Sequence, residues 1–126
     1  MTEEEYVKNA LRTESPVTDE LKARVTQDKN IRLMHAAMGM VTESAEFIDA
    51  LKKNFYYNKT LDTVNLKEEI GDVLWYVAIA CDALGVSLNQ VMERNIEKLA
   101  ARYPEKYSDE CALHRDLKKE HEILEK

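Results

Sequence analysis

The sequence predicts an all-α protein, and three observations lead to this prediction. Only three Gly and two Pro interrupt the 126 residues. Runs of β-branched residues are scarce, and apolar residues recur at alternating spacings of three and four, the period of one helix face. Hydrophobic residues make up 44% of the chain and charged residues 33%, so it can bury a core and remain soluble. One compact helical domain is the simplest expectation.

Capping patterns place the first elements. Thr2 with Glu5 fits a capping box, which predicts a first helix over about Glu3 to Arg12. Pro16 breaks this segment, and Thr18 is positioned to cap a new one.

A long second helix is predicted from about Asp28 to Asn54. Its apolar face is formed by Ile31, Met34, Met38, Val41, Ala45 and Ile48. The polar and aromatic segment "FYYNKTLDTV" then reads as a connection. Asn65, with Glu68 three residues later, predicts the start of the next helix.

A third helix, from about Leu66 to Leu84, is apolar almost all round, which predicts a central and buried position. Gly85 is placed as its C-terminal cap. Ser87 with Gln90 opens a fourth helix that runs to about Arg102. We expect a single domain over 1–126, with an N-terminal helical segment (1–27), a core (28–107) and a C-terminal helical tail (108–126).

Two acidic pairs, "ESAE" at 43–46 and "EIGD" at 69–72, stand out on the second and third helices. At about 100° per residue, each pair shares one helix face. The faces comprise His35, Gly39, Glu43, Glu46, Ala50 and Lys53 on one helix and Glu69, Asp72, Tyr76 and Ala83 on the other. Four converging carboxylates repel one another, so a hard divalent cation is the expected partner, and the absence of a Cys or His ligand pair argues against zinc. The alternative is two solvated acidic faces.

The fourth helix carries a polar group in an apolar seam. Asn95 falls in the middle of the face of Leu88, Val91, Met92 and Leu99, and Lys98 and Arg102 flank it. Two cations beside an amide favour an anion site. The alternative is a buried Asn that fixes helix register, with both cations extended outward.

Charge and composition exclude several classes of partner. The net charge of -6 argues against nucleic acid, since phosphate-backbone binding needs clustered Lys and Arg. Apolar runs are far shorter than the roughly 20 residues that span a bilayer, and the acidic N-terminus lacks a signal-peptide layout. Cys81 and Cys111 do not make a disulfide framework. We therefore expect a cytoplasmic protein without a membrane or nucleic-acid partner.

With these residues in place, the sequence resembles the MazG-like family of all-α nucleoside triphosphate pyrophosphohydrolases. The resemblance rests on "ESAE", a gap of 22 residues, "EIGD" continuing into "GDVLWY", and "NIEKLAARYP", over about residues 31 to 107. It implies a MazG-like bundle of four to five helices, completed by oligomerisation into a homodimer or homotetramer. It also implies hydrolysis of an NTP or dNTP to a monophosphate and pyrophosphate, dependent on Mg²⁺ with Mn²⁺ as a substitute.

The resemblance assigns roles to particular residues. Glu43, Glu46, Glu69 and Asp72 would hold the metals. Asn95, Lys98 and Arg102 would face the phosphates, with Lys53 a further candidate. Tyr76 and His35 would lie nearer the nucleoside. Glu46 is our candidate for the general base, because it lies closer than Glu43 to the centre of its helix face.

Two departures from the family pattern concern the surroundings of the acidic motif. Many members have a second Glu where this chain has Thr42, and a Gly where it has Ala45. These changes leave the four carboxylates in place and bear on substrate choice and rate more than on metal binding.

Other functions stay open at this point. A dimeric dUTPase-like enzyme and a phosphoribosyl-ATP pyrophosphohydrolase share the same carboxylate arrangement and differ in base recognition. A ferritin-like di-iron protein needs Glu-x-x-His motifs, which neither Glu43 nor Glu69 begins. A non-catalytic helical interaction protein remains the alternative from a different class.

Overall fold

The computed structural model describes all 126 residues, which form seven α-helices and no strand. The helices are α1 (Glu3–Leu11), α2 (Asp19–Val25), α3 (Asp28–Tyr57), α4 (Thr63–Leu84), α5 (Leu88–Arg102), α6 (Asp109–Leu113) and α7 (Leu117–Leu124). The all-α prediction is confirmed, although the chain has more helices than the four to five expected. The additional ones are among the short helices of the two terminal segments.

The chain divides into two compact units, Met1–Ile31 and Arg32–Lys126. In the first unit the predicted capping box of α1 is present: the Thr2 backbone N–H donates to Glu5 Oε2 at 2.8 Å, and the Glu5 N–H donates to Thr2 Oγ1 at 3.1 Å. Thr18 caps α2 by accepting the Leu21 N–H at 3.1 Å. That the two units form a single domain stays a prediction.

The second unit is organised around α3 and α4, which run antiparallel. Arg32 pairs with Asp82, His35 contacts Tyr76, and Glu43 lies near Asp72. Residues later in α3 therefore contact residues earlier in α4. Every functional candidate on these two helices therefore lies along one hairpin.

The turn between α3 and α4 differs from its prediction. α3 continues through Tyr57 and ends where Asn58 adopts a φ of 50°, so "FYY" is helical and not part of the connection. The N-cap of α4 is Asp62, whose Oδ1 accepts the N–H groups of Val64 at 3.1 Å and Asn65 at 3.0 Å. The prediction of Asn65 as the cap was wrong, because its side chain donates instead to Glu69 Oε1 at 2.6 Å.

The remaining predicted boundaries of the unit are confirmed. Gly85 ends α4 with a φ of 73°, a left-handed conformation that glycine adopts without steric cost. Ser87 and Gln90 form the capping box that opens α5. α5 is bent by 98° from α4, and α7 packs against α5.

The expectation that α4 is buried is contradicted within this chain. The buried hydrophobic residues are only Ala36 and Cys81, and no large side chain is fully buried. Ile70 and Leu74 of α4 are 53% and 52% exposed, and they line an open groove together with Phe47 and Ile48 of α3. No individual helix is long and apolar enough to cross a membrane, and only α4 and α5 taken as a bent pair meet that criterion by length and composition.

Candidate active site

Three carboxylates converge between α3 and α4. Glu43, Glu69 and Asp72 each present an oxygen that lies within 4.8 Å of the others. Glu69 is buried, Glu43 is half-buried and Asp72 is exposed, so the cluster lies at the edge of the helix pair and opens to solvent. We call these three residues the carboxylate cluster.

The carboxylate cluster has no cationic partner within the chain. None of the ion pairs in the structure involves Glu43, Glu69 or Asp72. Glu69 accepts a single hydrogen bond from Asn65, and Glu43 accepts one from the Thr42 hydroxyl at 3.3 Å. Burying a carboxylate without compensating charge is costly, so this arrangement suits a bound cation.

The pKa of Glu43 reports the same crowding. It is raised above its usual 4.5, first by burial and then by the negative charge of Glu46, while the Thr42 hydroxyl opposes the rise and Asp72 and Glu69 add to it. Oxygen ligands at an edge that is open to solvent fit a hard divalent cation such as Mg²⁺, which keeps several waters. The donor set therefore fits the implied metal.

Glu46 does not join the carboxylate cluster. It is exposed and lines a neighbouring cavity of about 600 Å³, which lies between the end of α3, the α3–α4 turn and the start of α4. Its charge still acts on Glu43, and it also raises the pKa of Lys53. Three of the four predicted metal ligands thus come together, and the fourth lies beside them.

Lys53 lies in the same cavity, which we call the turn cavity. Its ammonium group pairs with Asp49 at 2.6 Å, and this bond is the main cause of a raised pKa for Lys53 and a lowered pKa for Asp49. Asp49 and Asn65 were not among the sequence-predicted site residues. Asn65 could have been found from its place four residues before Glu69, a spacing at which helical side chains meet.

His35, Trp75 and Tyr76 form an aromatic cluster on the other side of the carboxylates. The Tyr76 ring lies edge-on to His35 at 5.5 Å and to Trp75 at 4.8 Å between centroids. A Cβ at position 39 would overlap the Tyr76 ring, so Gly39 allows the ring to lie directly against α3. The two predicted nucleoside residues, His35 and Tyr76, are therefore in contact.

Residues 33–107 match the model of the MazG nucleotide pyrophosphohydrolase domain. The chain belongs to the MazG family. The matched span, more than half of the chain, contains both acidic motifs, the aromatic cluster and α5.

The chain is also similar to a curated protein, the Gene 37 protein of Mycobacterium phage L5. It is 36% identical over 74 residues, which cover 56% of this chain and 65% of that protein, just under two thirds of its length. No solved structure matches the chain.

Within the MazG domain, the residues of α5 that are predicted to face the phosphates do not line the turn cavity. Lys98 Nζ donates to Asn95 Oδ1 at 2.7 Å, and Asn95 is exposed, so it is not a buried register-fixing residue in this chain. Their role towards phosphate stays a prediction.

Arg102 is engaged by the C-terminal tail. Its guanidinium donates to both oxygens of Glu120 of α7, at 2.9 and 2.6 Å, and Arg115 donates to the same carboxylate. These bonds raise the pKa of Arg102 and lower that of Glu120 to about 2. In this conformation a phosphate would have to displace Glu120 to reach Arg102.

Proposed function

We propose that the protein hydrolyses a nucleoside triphosphate, ribo or deoxy, to the monophosphate and pyrophosphate, with Mg²⁺ as the metal and Mn²⁺ as a substitute. The observation that carries this proposal is the carboxylate cluster, in which three acidic groups meet without a counter-ion in a chain of the MazG family. The aromatic cluster on one side and a cavity with two lysines on the other provide room for a nucleotide.

The carboxylate cluster would hold the metal. A divalent cation bound there would neutralise phosphoryl oxygens and lower the pKa of a nearby water. Asn65 fixes the orientation of Glu69 through its 2.6 Å hydrogen bond, which keeps the buried carboxylate aimed at the other two.

Glu46 is proposed as the general base. It lies beside the carboxylate cluster without being one of its three members, so its oxygens stay available to take a proton from the attacking water. The water oxygen bonds to phosphorus as the P–O bond of the α–β bridge breaks. The two products are the nucleoside monophosphate and intact pyrophosphate.

A second copy of the same chain is the proposed partner, in a homodimer or homotetramer. Beside the buried Glu69, an apolar groove of about 400 Å³ is lined by Phe47, Ile48, Ile70, Val73 and Leu74. This groove lies on a helix pair whose own chain buries only two hydrophobic residues. A copy of the same apolar surface supplies the missing cover, as in obligate dimers whose interfaces resemble a divided core.

The test is product analysis with matched variants. Wild-type protein and Mg²⁺ should convert at least one NTP or dNTP to monophosphate and pyrophosphate, and chelation should abolish turnover. Glu69→Gln and Asp72→Asn should each lower kcat by about 100-fold or more, since each removes a carboxylate that would hold the metal and so the positive charge that the metal supplies to the phosphates. Glu68→Gln is the control, because Glu68 is exposed, lies next to Glu69 and has no partner.

Two results would overturn the proposal. Diphosphate and orthophosphate as primary products would exclude cleavage between the α and β phosphorus atoms. Absence of turnover for every common NTP and dNTP, together with no rise in melting temperature on adding Mg²⁺ and nucleotide, would favour the helical interaction protein.

A further inference from the structure

The turn cavity contains a lysine to which no role has been assigned. Lys59 follows α3 in the α3–α4 turn and lines the cavity together with Glu46, Asp49, Lys53 and Thr60. The cavity has about 600 Å³, within the range of small-ligand sites. It carries no aromatic ring, so its lining is unsuited to stacking a base.

The turn is held in place by hydrogen bonds to both backbone groups of Lys59. The Lys59 N–H donates to the Lys53 carbonyl at 3.1 Å, and the Asn54 side chain donates to the Lys59 carbonyl at 2.7 Å. Asn58 supplies the left-handed residue that turns the chain there. The position of Lys59 is thus set by its backbone, which leaves the side chain free for another role.

Some charged side chains of the turn cavity already have a partner within the chain, and one of its lysines does not. Lys53 pairs with Asp49, and Asp62 accepts two N–H groups at the start of α4. The ammonium group of Lys59 takes part in no ion pair or hydrogen bond of the structure. Lys59 is therefore the lysine of the cavity that has no partner.

The order of sites along the α3–α4 hairpin indicates which part of a bound nucleotide would reach Lys59. The aromatic cluster lies around His35 and Tyr76, the carboxylate cluster follows at Glu43, and the turn cavity comes last, beginning at Ala45 and Glu46. A nucleotide with its base at the aromatic end and its reacting phosphate at the carboxylates directs the rest of its polyphosphate into the turn cavity.

We propose that Lys59 binds the terminal phosphate of the substrate and thereby makes the enzyme prefer nucleoside triphosphates to diphosphates. This inference rests on the proposed function, since it names the recognition of the phosphate tail at that same site. Lys53, held by Asp49, is the second cation along the path. An ammonium group that donates to a phosphate oxygen forms a charge-assisted hydrogen bond, which a diphosphate reacting at the same place would not reach.

The experiment compares triphosphates and diphosphates of one nucleoside. Lys59→Ala should lower kcat/KM for the triphosphate by about 10- to 100-fold, mainly through KM, and leave the diphosphate value within about twofold. Lys59→Arg should retain most of the preference because it keeps the charge. Calorimetry with hydrolysis-resistant α,β-imido analogues, in the presence of Mg²⁺, should give the same ratio of dissociation constants without turnover.

Lys67→Ala is the matched control. Lys67 is exposed and lies two residues from both Asn65 and Glu69, about 200° around α4 from each. The variant therefore removes one positive charge at a position that faces away from the cavity. Its variant should keep the wild-type ratio.

The outcomes separate the two proposals. If wild-type protein hydrolyses triphosphates but Lys59→Ala keeps the triphosphate-to-diphosphate ratio, or lowers both substrates equally, the role of Lys59 is overturned and the proposed function stands. If wild-type protein neither binds nor hydrolyses any nucleotide, both are overturned.

Discussion

At the scale of single residues, Gly39 sets how closely the Tyr76 ring approaches α3. Gly39 is buried, and the ring occupies the space that a side chain at this position would fill. Glycine in the middle of a helix costs about 1 kcal/mol relative to alanine, so α3 is weakened locally in exchange for the contact. The contact aligns Tyr76 with His35, at 5.5 Å between ring centroids, beside the carboxylate cluster.

Gly39→Ala should displace the Tyr76 ring. Overpacking costs about 1–3 kcal/mol, and the gain in helix propensity offsets about 1 kcal/mol of it, so we expect a net destabilisation of roughly 0–2 kcal/mol. Because the proposed nucleoside site would be altered while the carboxylates would not, KM for the nucleotide should rise about 10-fold, with the Mg²⁺ requirement unchanged. Denaturant unfolding and steady-state kinetics measure the two effects.

Gly71→Ala provides the comparison, because an added Cβ there meets no atom of the chain within 4 Å. If Gly39→Ala and Gly71→Ala raise KM equally, overlap with Tyr76 is not the cause. A wild-type KM in Gly39→Ala would show that the ring contact has no part in nucleotide binding.

At the scale of elements, α7 is attached to α5 by one carboxylate. Glu120 is 5% exposed and accepts hydrogen bonds from Arg102 of α5 and Arg115 of the segment before α7. α7 has only eight residues, too few to be stable as an isolated helix, so its order depends on this packing. The Glu120 bridge therefore helps to fix the C-terminal tail.

Glu120→Gln should release α7 and should make stability less sensitive to acid. The folded pKa of Glu120 is lowered to about 2 from a usual 4.5, first by Arg102 and then by Arg115. A depressed carboxylate pKa contributes stability that is fully present above pH 4.5 and is lost as the pH falls towards 2. The wild-type protein should thus exceed the variant in melting temperature above pH 4.5, and the difference should disappear near pH 2.

Thermal unfolding between pH 7 and 2 measures this difference, and hydrogen exchange of the α7 amides shows whether the tail has been released. Glu122→Gln is the control, since Glu122 is exposed on the same helix and has no ion pair. A difference between wild type and Glu120→Gln that persists unchanged at pH 2 would contradict the assignment of the bridge.

At the scale of the whole molecule, the chain lacks a core of its own. Its buried hydrophobic residues are Ala36 and Cys81, while the apolar face of α3 that carries Met34, Met38, Val41 and Ile48 is exposed. A chain of this length normally derives its net stability from buried apolar area. The proposed cover by another copy would account for both the amount of exposed apolar surface and its position beside the carboxylate cluster.

We expect the wild-type protein to be a dimer or tetramer at micromolar concentration by light scattering. Ile48→Glu or Leu74→Glu places a charge in the apolar groove and should dissociate the assembly, with loss of cooperative unfolding. Val64→Glu, an exposed apolar position outside the groove, should leave the assembly intact. A stable and active wild-type monomer would refute the proposed partner.

Local chemistry explains why much of the fold could be predicted from the sequence. The capping boxes at Thr2 and Ser87 and the left-handed Gly85 involve groups a few residues apart, so their hydrogen bonds hardly depend on the rest of the chain. Asn65 was misassigned because two residues near the start of α4 are suited to cap it. Asp62 is the cap, and the Asn65 side chain donates to Glu69 instead. A pattern of spacings cannot decide between them.

The sequence by itself determined the helical class, the MazG resemblance and the acidic faces of α3 and α4, because periodicity and motif spacing are properties of a single element. Only the tertiary structure decided that Glu43 meets Glu69 and Asp72 while Glu46 lies apart, and that Arg102 turns to Glu120. Those outcomes depend on the rotation and height of one helix against another. Distances between side chains 18 or more residues apart follow from packing, which spacing along the chain does not encode.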